Sequence, residues 1–155
     1  MANVFDVADF ILDDLGSSST MKLQKIVFYS HAYHLVRFHE PLLDCRIEAW
    51  ANGPVVPVLF DKHRHSFVVS QGCFSPYSKK ERLASREKLS IRAALKTFRD
   101  MTGSELSDLT HSEAPWKNAR QGLDPAARSN NLISDESIRR FYSSAKCENP
   151  LFVGL

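Results

Sequence analysis

Apolar residues recur every three to four positions at the start of the chain, which is the spacing of one face of an α-helix. Within residues 4–15, the apolar positions that share this face are Val4, Ala8, Ile11, Leu12 and Leu15. Asn3 is placed to cap this helix and Gly16 to end it. The pattern therefore predicts an amphipathic first helix with one side directed to the core.

The second helical segment is apolar around most of its circumference, which is typical of a helix buried on several sides. We predict a turn at SSST, residues 17–20, with Thr20 capping the helix and Pro41 stopping it. Polar residues such as Gln24 and Lys25 then lie near or inside the core, where each needs a partner. We expect this segment to be the central helix of the fold.

Alternating polar and apolar positions in the middle of the chain predict a minor β element. RIEAW at residues 46–50 and SFVVSQGCF at residues 66–74 are strand candidates that are able to pair with each other. Gly53 and Pro54 are predicted to turn the chain, and Pro57 suits the first position of a helix. This stretch is therefore a stiff corner that sets the angle between a strand and a helix.

The C-terminal half returns to helical spacing. A helix is predicted over about residues 85–101, with Gly103 closing it and Ser104 starting a short helix. Pro115 begins another short helix, and Ser134 caps the last one. These elements complete a chain in which helices dominate.

The chain has 155 residues, of which 43% are hydrophobic and 25% charged, values typical of a globular domain with one core. The predicted fold class is mainly α: a single compact helical domain around a buried central helix, with a small two- or three-stranded β element. We expect one domain over residues 1–155, with its core at about 4–145 and a C-terminal tail at 146–155.

Composition also limits the location. No apolar run approaches the roughly 18 residues that indicate a membrane span, and the N-terminus MANVFDVADF carries acids without the basic start of a signal peptide. The three cysteines, Cys45, Cys73 and Cys147, are odd in number and far apart, which fits a reducing cytoplasm better than a disulfide framework. We therefore expect a cytoplasmic protein without membrane contact.

Six histidines raise the question of a metal site. His31 and His34 have ligand spacing on one helix, His63 and His65 are two apart, and His111 lies two before an acid. The chain contains no HExxH and no CxxC, so ordinary core and surface histidines are the favoured interpretation. No metal ligand is assigned.

Nucleophile and base pairs are equally weak. Cys45 as nucleophile could be paired with His39 or His111 as base, but none of these residues lies in a recognisable nucleophile elbow. Ser66 could be paired with His63 or His65, and it too lies outside any recognisable nucleophile elbow. The six glycines are scattered and form no phosphate-binding loop. We assign no catalytic residue and expect no cofactor.

A basic segment lies between residues 79 and 99, with eight basic and two acidic residues and thus a local excess of six positive charges. The positions that share one helical face are Lys88, Arg92, Lys96 and Arg99. They form a candidate docking surface for an acidic protein or phosphate, and a solvated outer face is the alternative. The sequence has no zinc finger and no clear basic recognition helix, so direct nucleic-acid binding is not supported.

Four polar residues beside large apolar ones form a different pattern. They are Lys25, Glu48, His111 and Arg120. Because an unpaired buried charge costs several kcal/mol, such residues are usually paired. We hypothesise one polar network that joins the central helix, the strand and the helix that Pro115 starts. The alternative is that each side chain reaches water on its own.

Four stretches that occur in a fixed order carry a resemblance to a known family: LQKIVFYSHAYHL, IEAWANGPVVPVLF, LSDLTHSEAPWKNAR and ISDESIRRFY. Together they resemble the Panacea domain family, also called SocA-like antitoxins or phage-associated GepA-like proteins, from Phe5 to Tyr142. The matching residues are Leu23, Gln24, Lys25, Tyr29, Glu48, Ala49, Trp50, Gly53, Pro54, Val55, Pro57, Leu109, His111, Pro115, Trp116 and Arg120. Asn52, Phe28 and Phe60 depart from the aromatic and tyrosine residues usual in the family, at the cost of hydroxyl groups rather than of shape.

This resemblance implies a mainly helical, non-enzymatic interaction domain. Such domains act as antitoxins that bind and neutralise a toxin usually encoded beside them, and some resemble adaptors that pass the toxin to a cytoplasmic AAA+ protease. Members are common in bacteria and their phages. The matching residues are interpreted as a framework that presents a variable surface, and none is carried over as catalytic. Some members add a DNA-binding domain, for which we expect no room here.

Two other functions stay open at this stage. One is a phage or prophage accessory protein that binds another protein target through the basic face, and the other is a small hydrolase or metalloprotein built on histidine and cysteine. The apolar tail PLFVGL, residues 150–155, is a further candidate contact for a partner or a protease, although such tails more often pack on their own domain. A homo-oligomer is also left open.

Overall fold

Helices make up more than half of the computed structural model, which describes residues 1–155. The α-helices are α1 (Val4–Leu15), α2 (Thr20–Phe38), α3 (Pro57–His63), α4 (Ser85–Phe98), α5 (Gly103–His111), α6 (Ala114–Ala119) and α7 (Asp135–Tyr142). The strands are β1 (Ser17–Ser19), β2 (Glu48–Trp50), β3 (Gly53–Val55) and β4 (Val68–Ser70). Short 3-10 turns cover Ser75–Tyr77, Lys80–Arg82 and Pro150–Phe152. The mainly α class is confirmed.

Helix α2 is the centre of the molecule, as its all-round apolar pattern predicts. Helices α1, α4, α5 and α7 pack around it, and one continuous apolar core joins them. Its boundaries differ slightly from the prediction: Ser19, not Thr20, is the cap and accepts a hydrogen bond from the Lys22 amide. The helix ends at Phe38, because the next residue, His39, has a left-handed backbone that terminates it two residues before Pro41. None of the helices is both long and apolar enough to cross a membrane.

The predicted strand pairing is wrong, because the four strands form two separate antiparallel sheets. β2 pairs with β3 through a two-residue loop, so Gly53 and Pro54 belong to a strand and Ala51 and Asn52 make the turn. Strand β4 pairs instead with β1. Most of the predicted turn at residues 17–20 is therefore strand β1. Gly53 and Pro54 suggested that the strand ends there, whereas the two-residue loop before them connects β2 and β3 as a hairpin.

The start of α5 also corrects the prediction that Gly103 closes α4. The Thr102 hydroxyl accepts a hydrogen bond from the Glu105 amide, and the Glu105 carboxylate accepts one from the Thr102 amide. This reciprocal capping begins the helix at Gly103. A β-carbon at Gly103 would lie 2.9 Å from the Ser19 hydroxyl oxygen, so glycine lets α5 approach the start of α2 closely.

The remaining helix starts agree with the sequence. Pro57 is the first residue of α3, Pro115 lies in the first turn of α6, and Ser134 caps α7 by accepting a hydrogen bond from the Ser137 amide. Asn3 caps α1 in the same way and Gly16 ends it. These boundaries depend on neighbouring residues alone, which is why local patterns predict them.

Candidate functional site

The β2–β3 hairpin is held from one side by α6. The Trp116 indole N–H donates to the Trp50 carbonyl at 2.7 Å, and one Arg120 nitrogen donates to the Ala49 carbonyl at 2.9 Å. The other end of this buried guanidinium donates to the carbonyls of the loop over residues 124–127. Since the acceptors are backbone groups, α6 fixes the position of the hairpin main chain itself.

Lys25 supports the hairpin from the other side, where α2 passes beneath it. The lysine is 1% exposed, and its ammonium group forms neither an ion pair nor a hydrogen bond with any side chain or carbonyl. Burial lowers the pKa of Lys25 to about 7. Its apolar stem lies against Gly53, where a β-carbon would stand 2.4 Å from the lysine Cε. The hairpin therefore rests on a lysine whose charge is disfavoured.

Gln24, the residue before Lys25, fixes the start of α3. Its side-chain oxygen accepts a hydrogen bond from the Val56 amide at 2.9 Å, and its nitrogen donates to the Val56 carbonyl at 3.3 Å. The same nitrogen donates to the His63 Nε2 at 3.0 Å, and burial lowers the pKa of this histidine. The central helix thereby holds both ends of α3. The Pro54–Pro57 corner is fixed by these hydrogen bonds at Val56 as well as by its prolines.

The four residues hypothesised to share one network do not hydrogen-bond to one another. Glu48 accepts from the Arg46 Nε at 2.8 Å and from the Trp50 indole at 2.9 Å. The His111 ring stacks on Trp116 with centroids 3.8 Å apart, and burial lowers its pKa. Together with Lys25 and Arg120, these groups surround the same hairpin, each with its own contacts.

Replacing Gly53 with alanine is expected to cost about 3 kcal/mol of folding free energy. Its φ of +118° disfavours any side chain, and a β-carbon would collide with the Lys25 stem and lie 3.0 Å from the Thr110 hydroxyl. Urea denaturation measures the loss. Gly122→Ala is the matched control, because Gly122 has a φ of +85° and no atom within 4 Å of the added carbon. Equal losses in the two variants would refute the close contact.

A second buried polar cluster surrounds Glu113, which the sequence marks only as the acid two positions after His111. One carboxylate oxygen accepts hydrogen bonds from the Tyr29 hydroxyl at 2.5 Å and the Tyr142 hydroxyl at 2.7 Å. The other accepts from the Asn149 side-chain amide at 2.8 Å. Burial raises the pKa of Glu113 and holds both tyrosine pKa values well above their ordinary range. This Glu113 cluster ties α2, α6, α7 and the C-terminal tail together.

The two histidines at metal-ligand spacing have separate protein partners. His31 Nδ1 accepts the Leu43 amide at 3.1 Å, so its Nε2 carries the proton that it donates to Asp135 at 2.8 Å. His34 Nδ1 donates to the Ser90 hydroxyl at 2.7 Å, and burial lowers the pKa of this histidine. These side chains brace α2 against its neighbours.

The side chains of the candidate nucleophiles form no hydrogen bond with the rings of the candidate histidine bases. Cys45 Sγ donates instead to Asp44, at 3.8 Å, and burial raises the pKa of the Cys45 thiol to about 11. Neither His39 nor His111 is bonded to it. The Ser66 carbonyl accepts a hydrogen bond from the Thr20 hydroxyl, and the Ser66 amide donates to the His63 carbonyl. A thiol with so high a pKa is a poor nucleophile near neutral pH.

The basic face of α4 lies on the outside of the molecule. Arg92 and Lys96 are exposed and Lys88 is half-buried, without an ion pair for any of them. Arg99 forms a salt bridge with Asp14 of α1, and the Arg92 guanidinium lies 5.3 Å from the centre of the Phe10 ring. Part of this face therefore holds α4 to α1, and the rest stays available as the docking surface suggested by the sequence.

The middle of the C-terminal tail packs on its own domain. Phe152 stacks on the Tyr142 ring with centroids 4.5 Å apart, and Leu151 is buried beside it. Asn149 joins the Glu113 cluster, so the tail is anchored by polar and apolar contacts. Val153 and Leu155 are exposed.

The family model described as antitoxin SocA-like, Panacea domain, matches residues 23–117, which run from the first turn of α2 into α6 and include the whole hairpin. No curated protein and no solved structure matches the chain.

Proposed function

We propose, from the premise that this chain belongs to the SocA-like antitoxin, Panacea domain family, that it binds a cognate toxin protein and neutralises it. The observation that carries this proposal is the family match over residues 23–117. That range holds the central helix and the hairpin, with the side chains that fix them. Membership in this family indicates a non-catalytic role, in which a rigid exterior rather than a reactive group does the work.

The size of the molecule is sufficient for such a role. A stable protein interface buries about 800 Å² on each partner, which is about a tenth of the 8116 Å² of accessible surface of this chain. The hairpin, braced by Lys25, Trp116 and Arg120, loses little conformational freedom on binding. Preorganisation of this kind leaves more of the contact energy for affinity.

Two finer features belong to the same proposal. The neutralised toxin is passed to a AAA+ protease, as the family resemblance implies, and the protein acts in the cytoplasm of a bacterium or of a phage-infected host. The three cysteines, Cys45, Cys73 and Cys147, are free thiols, which is compatible with a reducing compartment.

The experiment is a co-expression assay with the product of the reading frame adjacent to this gene. We expect that product to arrest growth when expressed alone and to be harmless when this chain is expressed with it. Gly53→Ala, which disturbs the hairpin, is expected to rescue growth less well than Gly122→Ala. An adjacent product that is harmless by itself, or equally toxic with and without this chain, would refute the proposal.

A further inference from the structure

Strand β4 has one free edge. The Thr20 amide donates to the Phe67 carbonyl at 2.9 Å and the Gln71 amide to the Gly16 carbonyl at 2.7 Å, and Ser18 lies opposite Val69. Hydrogen-bonded and non-hydrogen-bonded pairs alternate in an antiparallel ladder. Val68 and Ser70 therefore occupy the positions whose backbone groups point away from β1.

Three of these outward-pointing groups have no hydrogen-bond partner in the chain. They are the Val68 amide, the Val68 carbonyl and the Ser70 amide, whereas the Ser70 carbonyl accepts a hydrogen bond from Cys73. Exposed backbone groups of this kind are the template to which another strand adds.

The outer edge of β2 is covered. It is bonded to the segment over residues 131–133, where the Ala49 amide donates to the Asn131 carbonyl and the Ile133 amide to the Ile47 carbonyl. Strand β3 packs against α2 and α5, and β1 meets the start of α5 at Ser19. At β4, by contrast, open backbone groups coincide with exposed apolar side chains.

The side chains on β4 are unusual for an open edge. Phe67 is 91% exposed and Val68 is 62% exposed, and no charged residue or proline occurs in residues 66–70. Natural proteins normally protect such edges with charges, prolines or bulges. An edge without charge or proline that carries an exposed aromatic residue matches the composition of a protein-binding surface.

We propose that β4 is the strand to which the toxin binds, through an extended apolar segment of the toxin that pairs with Val68 and Ser70 and packs on Phe67. This inference rests on the proposed antitoxin function. The exposed residues that lead into β4 include the cations Lys62 and Arg64 against one acid, Asp61. Charge complementarity therefore calls for a carboxylate beside the apolar segment of the partner. A second copy of this chain would bring the same cations and is the less favourable occupant.

Hydrogen exchange of single amides, followed by NMR, tests the pairing directly. In the free chain, the Val69 amide is expected to be protected and the Val68 and Ser70 amides to exchange freely. Addition of the purified product of the adjacent reading frame should slow exchange at Val68 and Ser70 at least about tenfold. Protection of Val68 that rises with the concentration of this chain alone would show self-pairing and overturn the proposal.

Two variants separate strand pairing from a general loss of fold. Val68→Pro removes an amide that β1 does not use, and Phe67→Ser removes the exposed ring. Each should weaken binding of the adjacent product about tenfold or more, with an unchanged far-ultraviolet circular dichroism spectrum. Leu123→Ser is the matched control, because Leu123 is an exposed apolar residue outside the strand, and it should bind like the wild type.

The outcomes distinguish this inference from the proposed function. If the wild-type chain neutralises the toxin and both β4 variants do so with equal affinity, the β4 contact is wrong and the antitoxin function stands. If the wild-type chain does not bind the adjacent product, both proposals fall.

Discussion

Replacing Glu113 with alanine is expected to destabilise the fold by about 3–5 kcal/mol, the largest loss that we predict for a single side chain. The substitution leaves the hydroxyls of Tyr29 and Tyr142 and the amide of Asn149 buried without their acceptor. An unsatisfied buried donor costs about 1–3 kcal/mol, and the three losses are not additive because the groups share one site. The free energy of unfolding in urea measures the effect.

Control variants make the result specific to the buried acceptor. Glu136→Ala removes an exposed carboxylate that is paired only with Arg140 of the same helix, so it should change stability by less than about 0.5 kcal/mol. Tyr29→Phe removes one donor and leaves Glu113 with two, so it should cost less than the loss of the acceptor. A loss below about 1 kcal/mol for Glu113→Ala would show that the cluster does not hold the tail and helices together.

Replacing Lys25 with methionine is expected to stabilise the protein at neutral pH by roughly 2–4 kcal/mol. Methionine keeps the length of the stem that supports Gly53 and removes an ammonium group on a buried residue that has neither an ion pair nor a hydrogen bond. The gain follows from the pKa of Lys25, which burial lowers to about 7, whereas an unfolded chain has a lysine pKa of about 10.4. Below pH 7 the full cost of the buried charge is present in the wild type.

The same shift predicts a pH dependence of stability above neutral pH. Between about pH 7 and pH 10 the unfolded chain keeps a proton on Lys25 that the folded chain has released, so the wild type gains stability as the pH rises. The pKa difference sets an upper limit of roughly 5 kcal/mol on this gain. The difference between Lys25→Met and the wild type should therefore shrink steadily over this range.

Contributions from other titrating groups cancel in the difference between Lys25→Met and the wild type. Burial raises the pKa of the thiols of Cys45, Cys73 and Cys147, but these groups are common to both chains. Lys96→Met, at an exposed position of α4, should show no change in this pH window. A stability difference between Lys25→Met and the wild type that stays constant from pH 7 to pH 9 would contradict a neutral buried amine.

The sequence predicts those parts of the fold that depend on neighbouring residues. The spacing of apolar positions finds α1 and the buried α2, and caps or prolines find the starts of α3, α6 and α7. Pairing of β1 with β4 is not predictable in this way, because Ser17–Ser19 carries no apolar alternation and its partner is some 50 residues away.

The candidate site likewise has a part that the sequence predicts and a part that it does not. Side chains such as Arg120 and Trp116 are recognisable as polar groups in apolar surroundings, but their acceptors are hairpin carbonyls that no side-chain pattern shows. The partners of Glu113 come from α2, α7 and the tail, so only the folded chain brings them together. The one local signal is an acid directly before the Ala-Pro start of α6.

The central claim is that the chain inactivates another protein by binding it, without breaking covalent bonds. The most direct measurement is to form the complex from this chain and the purified product of the adjacent reading frame, and then to separate the two again. We predict that the released toxin has an unchanged mass by mass spectrometry and regains its activity. A toxin of altered mass, or one inactivated by a small fraction of an equivalent of this chain, would contradict binding as the mechanism.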